Sequence, residues 1–222
     1  MGSPGRPDRA SSNGGKRGKM ADGDLRVALY GGTFDPIHYG HLLPAEEVCE
    51  AYGFDRFWFI PAARPPHKQD DPQRASPDER FEMVRLAVMG HPTFRVSRSE
   101  IDRTGKSYAI DTVREFQARY GPDATIYWIL GADALIDFDV WKDGETLLEI
   151  CRFVAMTRPR YDLSRVPKHV RERVEFFTVT GIDLSSTEIR ARIAAGKSIR
   201  YRTPPAVIDY IERHGLYRIK NR

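Results

Sequence analysis

Cysteine is nearly absent from this 222-residue chain. It has two, Cys49 and Cys151, with no Cys-x-x-Cys pair and no Cys/His cluster. That excludes a disulfide-stapled scaffold and argues against a structural zinc site. Both thiols fall among apolar or helix-forming neighbours and read as inert groups in a reducing compartment. Long apolar runs are missing too: no stretch approaches the roughly 20 residues that cross a bilayer, which excludes a membrane-spanning helix. The N-terminus lacks the apolar segment of a secretory signal. The expected location is the cytoplasm.

A basic folded surface is also lacking. The formal net charge is +4, but residues 1–20 hold Arg6, Arg9, Lys16, Arg17 and Lys19 against Asp8 alone. The rest of the chain balances 30 basic against 30 acidic residues. The alkaline isoelectric point therefore belongs to a tail, and nucleic acid is not an expected partner. Residues 1–23 are rich in Gly, Ser, Arg and Pro and poor in large apolar side chains. Such a segment buries too little surface to offset its ordering entropy, so a disordered tail is expected. Met20 is an alternative start. One folded domain is expected over 24–222, with a helical part from about residue 183.

Within that domain strand and helix patterns alternate. Leu25–Tyr30, Arg56–Ile60, Phe94–Val96, Thr125–Leu130, Arg152–Met156 and Val174–Thr178 read as short strands. His38–Tyr52, Ser76–Met89, Tyr108–Arg119, Glu145–Ile150, Ser185–Ala195 and Pro204–Arg213 read as helices. Ser76 with Pro77 and Glu79 forms a capping box, and Gly196 suits a left-handed helix end. The alternation predicts an α/β fold: a doubly wound, mostly parallel, Rossmann-like sheet with helices on both faces. Ligands of such sheets sit where strands end and helices begin. That rule puts Gly31–His41, Gly131–Asp133 and Gly181–Arg190 along one edge.

The segment from Gly31 to His41 reads GGTFDPIHYGH. Gly31 and Gly32 offer backbone freedom and close approach for a phosphate. The amides opening the next helix form an anion site. His38 and His41, three apart, share a face of the first turn and can both donate to phosphate oxygens. Gly40 between them leaves room for a nucleotide. Two surface histidines on a loop are the plain alternative. The second segment, Ser185-Ser186-Thr187-Glu188-Ile189-Arg190, combines capping hydroxyls with a forked guanidinium able to meet a polyphosphate. Alone it would read as a well-capped helix with a solvated arginine.

The first segment meets the pattern GGTFDPIHxGH at every specified position, a coincidence on the order of one in 10^12 by chance. On it the chain resembles the nicotinate mononucleotide adenylyltransferases, within the nucleotidyltransferases that carry a His-x-Gly-His signature. The resemblance runs from about Leu25 to Tyr217. It includes Pro65-Pro66-His67-Lys68, Gly105 to Thr112 (with Ala109 where the family has threonine), Gly131-Ala132-Asp133, Trp141 and the closing Gly215-Leu216-Tyr217. The family has an Ile-Ser-Ser-Thr-x-Ile-Arg segment; here Asp183-Leu184 precedes the serines.

The resemblance implies transfer of an adenylyl group from ATP to nicotinate mononucleotide, with Mg²⁺ on the phosphates and few or no protein ligands to it. It implies ATP binding by Gly31, Gly32, Thr33, Phe34, His38, Gly40, His41, Gly131, Asp133, Ser185, Ser186, Thr187 and Arg190. Of these His38, His41 and Arg190 would stabilise the transition state. It implies acceptor binding by Lys68, Tyr108, Thr112, Trp141, Lys142 and Arg158, with Trp141 stacked on the pyridine ring. A proline-rich turn, a capping Asp133 and a core Trp141 are the plain readings of those positions. A nicotinamide mononucleotide or pantetheine-phosphate adenylyltransferase, or a non-catalytic nucleotide sensor, remain alternatives. Oligomeric state is not readable.

Overall fold

A computed structural model describes residues 25–64 and 74–219. The basic tail and Lys68, with the rest of the Pro-Pro-His-Lys segment, lie outside the described residues.

Six strands form the sheet: β1 Leu25–Gly32, β2 Arg56–Pro61, β3 Phe94–Val96, β4 Ala124–Gly131, β5 Arg152–Thr157 and β6 Glu175–Thr178. Their order is β3-β2-β1-β4-β5-β6, and every pairing is parallel. The chain winds outward from β1 through β2 to β3, then returns to lay β4 along the other side of β1. Connections leave β1 and β4 in opposite directions, which opens a crevice at their C-terminal ends.

The β1 residues alternate between two cores. Ala28 and Tyr30 face a cluster with Val48, Phe57, Phe59, Met83, Ile189 and Ile211. Val27 and Leu29 face one with Val113, Phe116, Trp128, Leu147 and Phe153. That is the period-2 signature of a strand buried on both faces. The first face is covered by α1 (Tyr39–Tyr52), α2 (Pro77–Val88), α7 (Ser186–Ala194) and α8 (Pro205–His214). The second is covered by α4 (Ala109–Tyr120), α5 (Gly144–Ile150) and α6 (Lys168–Arg171).

The predicted elements agree with the observed ones to within two residues at each end. The Ser76–Glu79 box is present, with bonds of 3.2 and 2.7 Å in its two directions. Gly196 has φ +67°, the left-handed end expected of it. Short pieces went unpredicted: α3 (Ser99–Asp102), α6 and 3-10 turns at Ala132–Leu135, Phe138–Val140 and Leu163–Arg165. Each is too short to show a hydrophobic period.

Candidate active site

The turn after β1 is held from outside by its carbonyls. Arg80 of α2 donates to Thr33 O at 2.8 Å. Arg190 of α7 donates to Asp35 O at 2.7 Å, and Ser186 Oγ to Pro36 O at 2.9 Å. Thr203, just before α8, donates to Ile37 O at 2.7 Å. Residues of α2, of α7 and of the segment before α8 thus fix one loop through its carbonyls. Preorganised main chain of this kind suits an anion site, because its dipoles need not reorganise when charge arrives.

Gly31 and Gly32 are required for a reason other than the one expected. Both belong to β1, and neither has positive φ. A Cβ on Gly32 would lie 2.7 Å from the Phe34 ring, and one on Gly31 would lie 2.9 Å from Trp128. The glycines make room for two aromatic side chains. The unusual backbone belongs to Phe34 instead, at φ +49°, with its ring buried beneath the turn.

His38, the first residue of the predicted helix, is the N-cap of α1, which begins one residue later at Tyr39. Its ring stacks on His41, with centroids 3.8 Å apart and planes 29° from parallel. The space left by Gly40 is filled by that ring, since a Cβ there would meet His38 Nδ1 at 2.9 Å. Gly40 therefore admits the histidine ring. The His38 backbone N–H donates to His41 Nδ1 at 3.3 Å. In the neutral ring this leaves the proton on His41 Nε2, as a donor. His38 is 4% exposed, and its Nδ1 has no hydrogen-bond partner among the described residues.

Burial pushes the His38 pKa down to about 4 from 6.5, so the ring is neutral at pH 7. Between those values the unfolded chain binds the proton and the folded chain does not. Stability therefore falls as pH drops from about 6.5 to about 4 and has no further contribution from this group below that. The expected loss is about 3 kcal/mol. Urea titrations at pH 7 and pH 4.5 should show it, and His38→Asn should remove most of the difference. An equal pH slope in the variant would assign the effect elsewhere.

The late serine–arginine segment meets this turn directly. Ser185 caps α7, its Oγ accepting from Glu188 N–H at 3.1 Å. The Ser186 hydroxyl was expected to face the ligand; instead it ties down the Pro36 carbonyl. Arg190 also lies 3.5 Å from Thr187 Oγ1 through Nη2. Motifs about 150 residues apart in sequence are thus one structure.

Beside the turn lies a cavity of about 560 Å³ at the crevice. Gly31, Gly32 and Thr33 line one side of it. Tyr108, Ala109, Trp128, Leu130, Trp141 and Lys142 are among its other lining residues. Tyr108 opens α4 and Trp141 follows the second 3-10 turn, packed against Phe138 at 5.3 Å. Lys142 Nζ sits 4.5 Å from the Tyr108 ring centre and 3.6 Å from Asp111. His38, His41 and Arg190 do not line this cavity; they stand on the adjoining side of the turn.

Other expected residues fall elsewhere. Thr112 is fully buried, its hydroxyl donating to Glu100 at 2.9 Å and accepting from Arg103 at 3.1 Å. It cannot face an acceptor; it orients Glu100, which does line the cavity. Glu100 was missed because nothing local in the sequence signals its burial. Burial raises its carboxyl pKa above the usual range, opposed by hydrogen bonds from Thr112 and Ser107. Asp133 is exposed, with Oδ1 folded over Gly131, where a Cβ would meet it at 2.5 Å. It is not the cap of the following turn, whose N-cap is Gly131. Arg158 is exposed beyond β5, its stem alongside Gly181 and outside the cavity lining. Among the described residues no group of three or more His, Cys, Asp or Glu side chains could cage a metal ion, and no helix is long and apolar enough to cross a membrane.

A doubly wound parallel sheet, with a glycine-histidine turn bound to a serine-capped helix at its switch point, defines a nucleotidyltransferase. A cytidylyltransferase-like family model matches residues 29–192. A Moorella thermoacetica protein described as "probable nicotinate-nucleotide adenylyltransferase" is 46% identical over 200 residues, 87% of this chain and 92% of its own length. A Thermus thermophilus protein of the same description is 48% identical over 194 residues, 87% of this chain and all of its own. In fold, the Plasmodium falciparum nicotinic acid mononucleotide adenylyltransferase complexed with NaAD matches with a TM-score of 0.69 at 19% identity, over 86% of this chain and 97% of that one. The chain belongs to the nicotinate-nucleotide adenylyltransferase family.

Proposed function

We propose that this protein transfers the adenylyl group of ATP to nicotinate mononucleotide, giving nicotinate adenine dinucleotide and pyrophosphate for NAD biosynthesis. The observation that carries the reading is the junction of the His38–His41 turn with Arg190 beside the Tyr108–Trp141 cavity.

ATP would enter as its Mg²⁺ complex, and the ion would supply neutralisation of the charge on the phosphate oxygens. The polyphosphate lies on the 31–41 turn and the start of α7, with Gly131 and Asp133 toward the adenosine. The acceptor ring stacks on Trp141, with Tyr108 and Lys142 around it and Arg158 toward its phosphate. An oxygen of the acceptor phosphate attacks the α-phosphorus in line, and pyrophosphate leaves with the electrons of the broken P–O bond. No general base is needed, since a phosphate monoester is already anionic near neutral pH. Catalysis is positioning plus electrostatics. His41 Nε2–H, His38 and Arg190 meet the charge that builds on non-bridging and leaving oxygens. The buried, unpaired thiols suit a reducing cytoplasm.

The test is pyrophosphate release with MgATP and each pyridine mononucleotide in parallel. Faster turnover of nicotinate mononucleotide is expected, and no release with either acceptor would sink the reading. The same assay tests the stacking role of Trp141. Trp141→Ala should raise the acceptor KM by about 10- to 100-fold while the ATP KM moves less than about threefold. Equal rises would make Trp141 a packing residue.

A further inference from the structure

Asp35 lies within the turn, and no step above uses it. It is 2% exposed. Its Oδ1 accepts from the Tyr217 hydroxyl at 2.7 Å and from Ala75 N–H at 3.2 Å. Its Oδ2 has no hydrogen-bond donor among the described residues, yet Arg190 Nη1 stands 3.6 Å away and Arg74 Nε 3.7 Å away. The same Arg190 nitrogen bonds the Asp35 main-chain carbonyl. One residue therefore grips this guanidinium twice, through a carbonyl and through a charge. A buried carboxylate short of donors is a costly way to fill space, and an apolar side chain of that size would pack more favourably. Its charge needs a purpose beyond packing.

Tyr217 supplies a second sign. It follows the glycine that ends α8 and holds φ +62°, a conformation a tyrosine rarely adopts. In that conformation its hydroxyl reaches back to Asp35 across 182 positions of sequence.

We propose that Asp35 is a positioning residue: its carboxylate, oriented by the Tyr217 hydroxyl, holds the Arg190 guanidinium on the polyphosphate side of the turn. The inference rests on the reading that Arg190 meets the triphosphate. A guanidinium anchored along one edge keeps its remaining N–H groups aimed, so less motion is lost when phosphate arrives.

The plain rival is a staple that merely fixes the chain end to the turn, and a double-mutant cycle separates the two. Asp35→Asn keeps the shape and an acceptor for Tyr217 while removing the charge; Tyr217→Phe removes only the hydroxyl. Each is made in the native chain and in Arg190→Lys, with kcat and both KM values measured and ATP affinity read by calorimetry. Asp35→Asn should lower kcat/KM for ATP and ATP affinity by about 10- to 100-fold, and Tyr217→Phe by about 3- to 10-fold, with the acceptor KM within about twofold. In the Arg190→Lys background both effects should shrink to within about twofold. Losses that multiply unchanged in that background, or variants that shift only the melting temperature, overturn the proposal. Should Asp35→Asn not fold, Tyr217→Phe decides alone. Calorimetry with ATP needs no acceptor. A wild-type chain that binds ATP but turns over neither mononucleotide therefore defeats the functional reading and leaves this one open to the same test.

Discussion

Replacing His41 with alanine is expected to lower turnover by about 10²- to 10³-fold while the folded state loses only about 1 kcal/mol. The two numbers come from different interactions. In the resting protein His41 accepts a long bond from the His38 N–H at 3.3 Å, stacks on the His38 ring and meets the Phe34 ring edge-on at 5.2 Å. Those contacts are modest, and water can replace the acceptor at this half-buried position. In the reaction the Nε2–H is a donor fixed in tautomer before charge develops, and such donors act mainly on the transition state. Steady-state rates with MgATP, alongside urea unfolding, separate the effects. Turnover within threefold of the native protein would remove His41 from the chemistry.

The second large effect concerns stability. Arg80 is 1% exposed and donates to three carbonyls: Ala75 at 3.2 Å, Thr33 at 2.8 Å and Ala63 at 3.4 Å. Burial holds its pKa below the ordinary arginine range, with Asp35 acting in the opposite direction. Arg80→Met keeps most of the volume but removes the guanidinium donor from three carbonyls and one of the positive charges acting on Asp35. An unfolding loss of about 3–5 kcal/mol is expected, measured by urea titration. The Thr33 carbonyl belongs to the phosphate turn, so activity should fall beyond what the unfolded fraction accounts for. A loss below 1 kcal/mol would mean that solvent reaches those carbonyls.

Strand and helix positions were legible because each follows from a local period or a local punctuation mark. The apolar run at Leu25, the Ser76–Glu79 box and Gly196 need only their neighbours. The turn was legible as chemistry because glycines and histidines of the right type stand close together after a strand. What could not be read is whatever depends on partners distant in sequence. Gly32 read as a point of backbone freedom and close approach for a phosphate, but the space it leaves is taken by the ring of Phe34. Thr112 looked like a ligand contact, but Glu100 packs against it from α3, a four-residue helix with no period to reveal it. Arg80 and Asp35 carry no local sign of burial; only the closed fold shows them buried. Tyr217 could be matched to a family's closing segment, but nothing in it pointed to a carboxylate near the start of the fold.

The bonded carbonyls of the turn bear on how the protein acquires its activity during synthesis. The bonds to Pro36, Asp35 and Ile37 come from residues 150, 155 and 166 positions further along the chain. Contacts of such separation form late, because a long loop must close before they repay its entropy. A ribosome-bound chain that has completed β1 through β6 would have its sheet but a slack anion cradle. Affinity for a triphosphate should therefore arrive abruptly, only once the last two helices have emerged and docked.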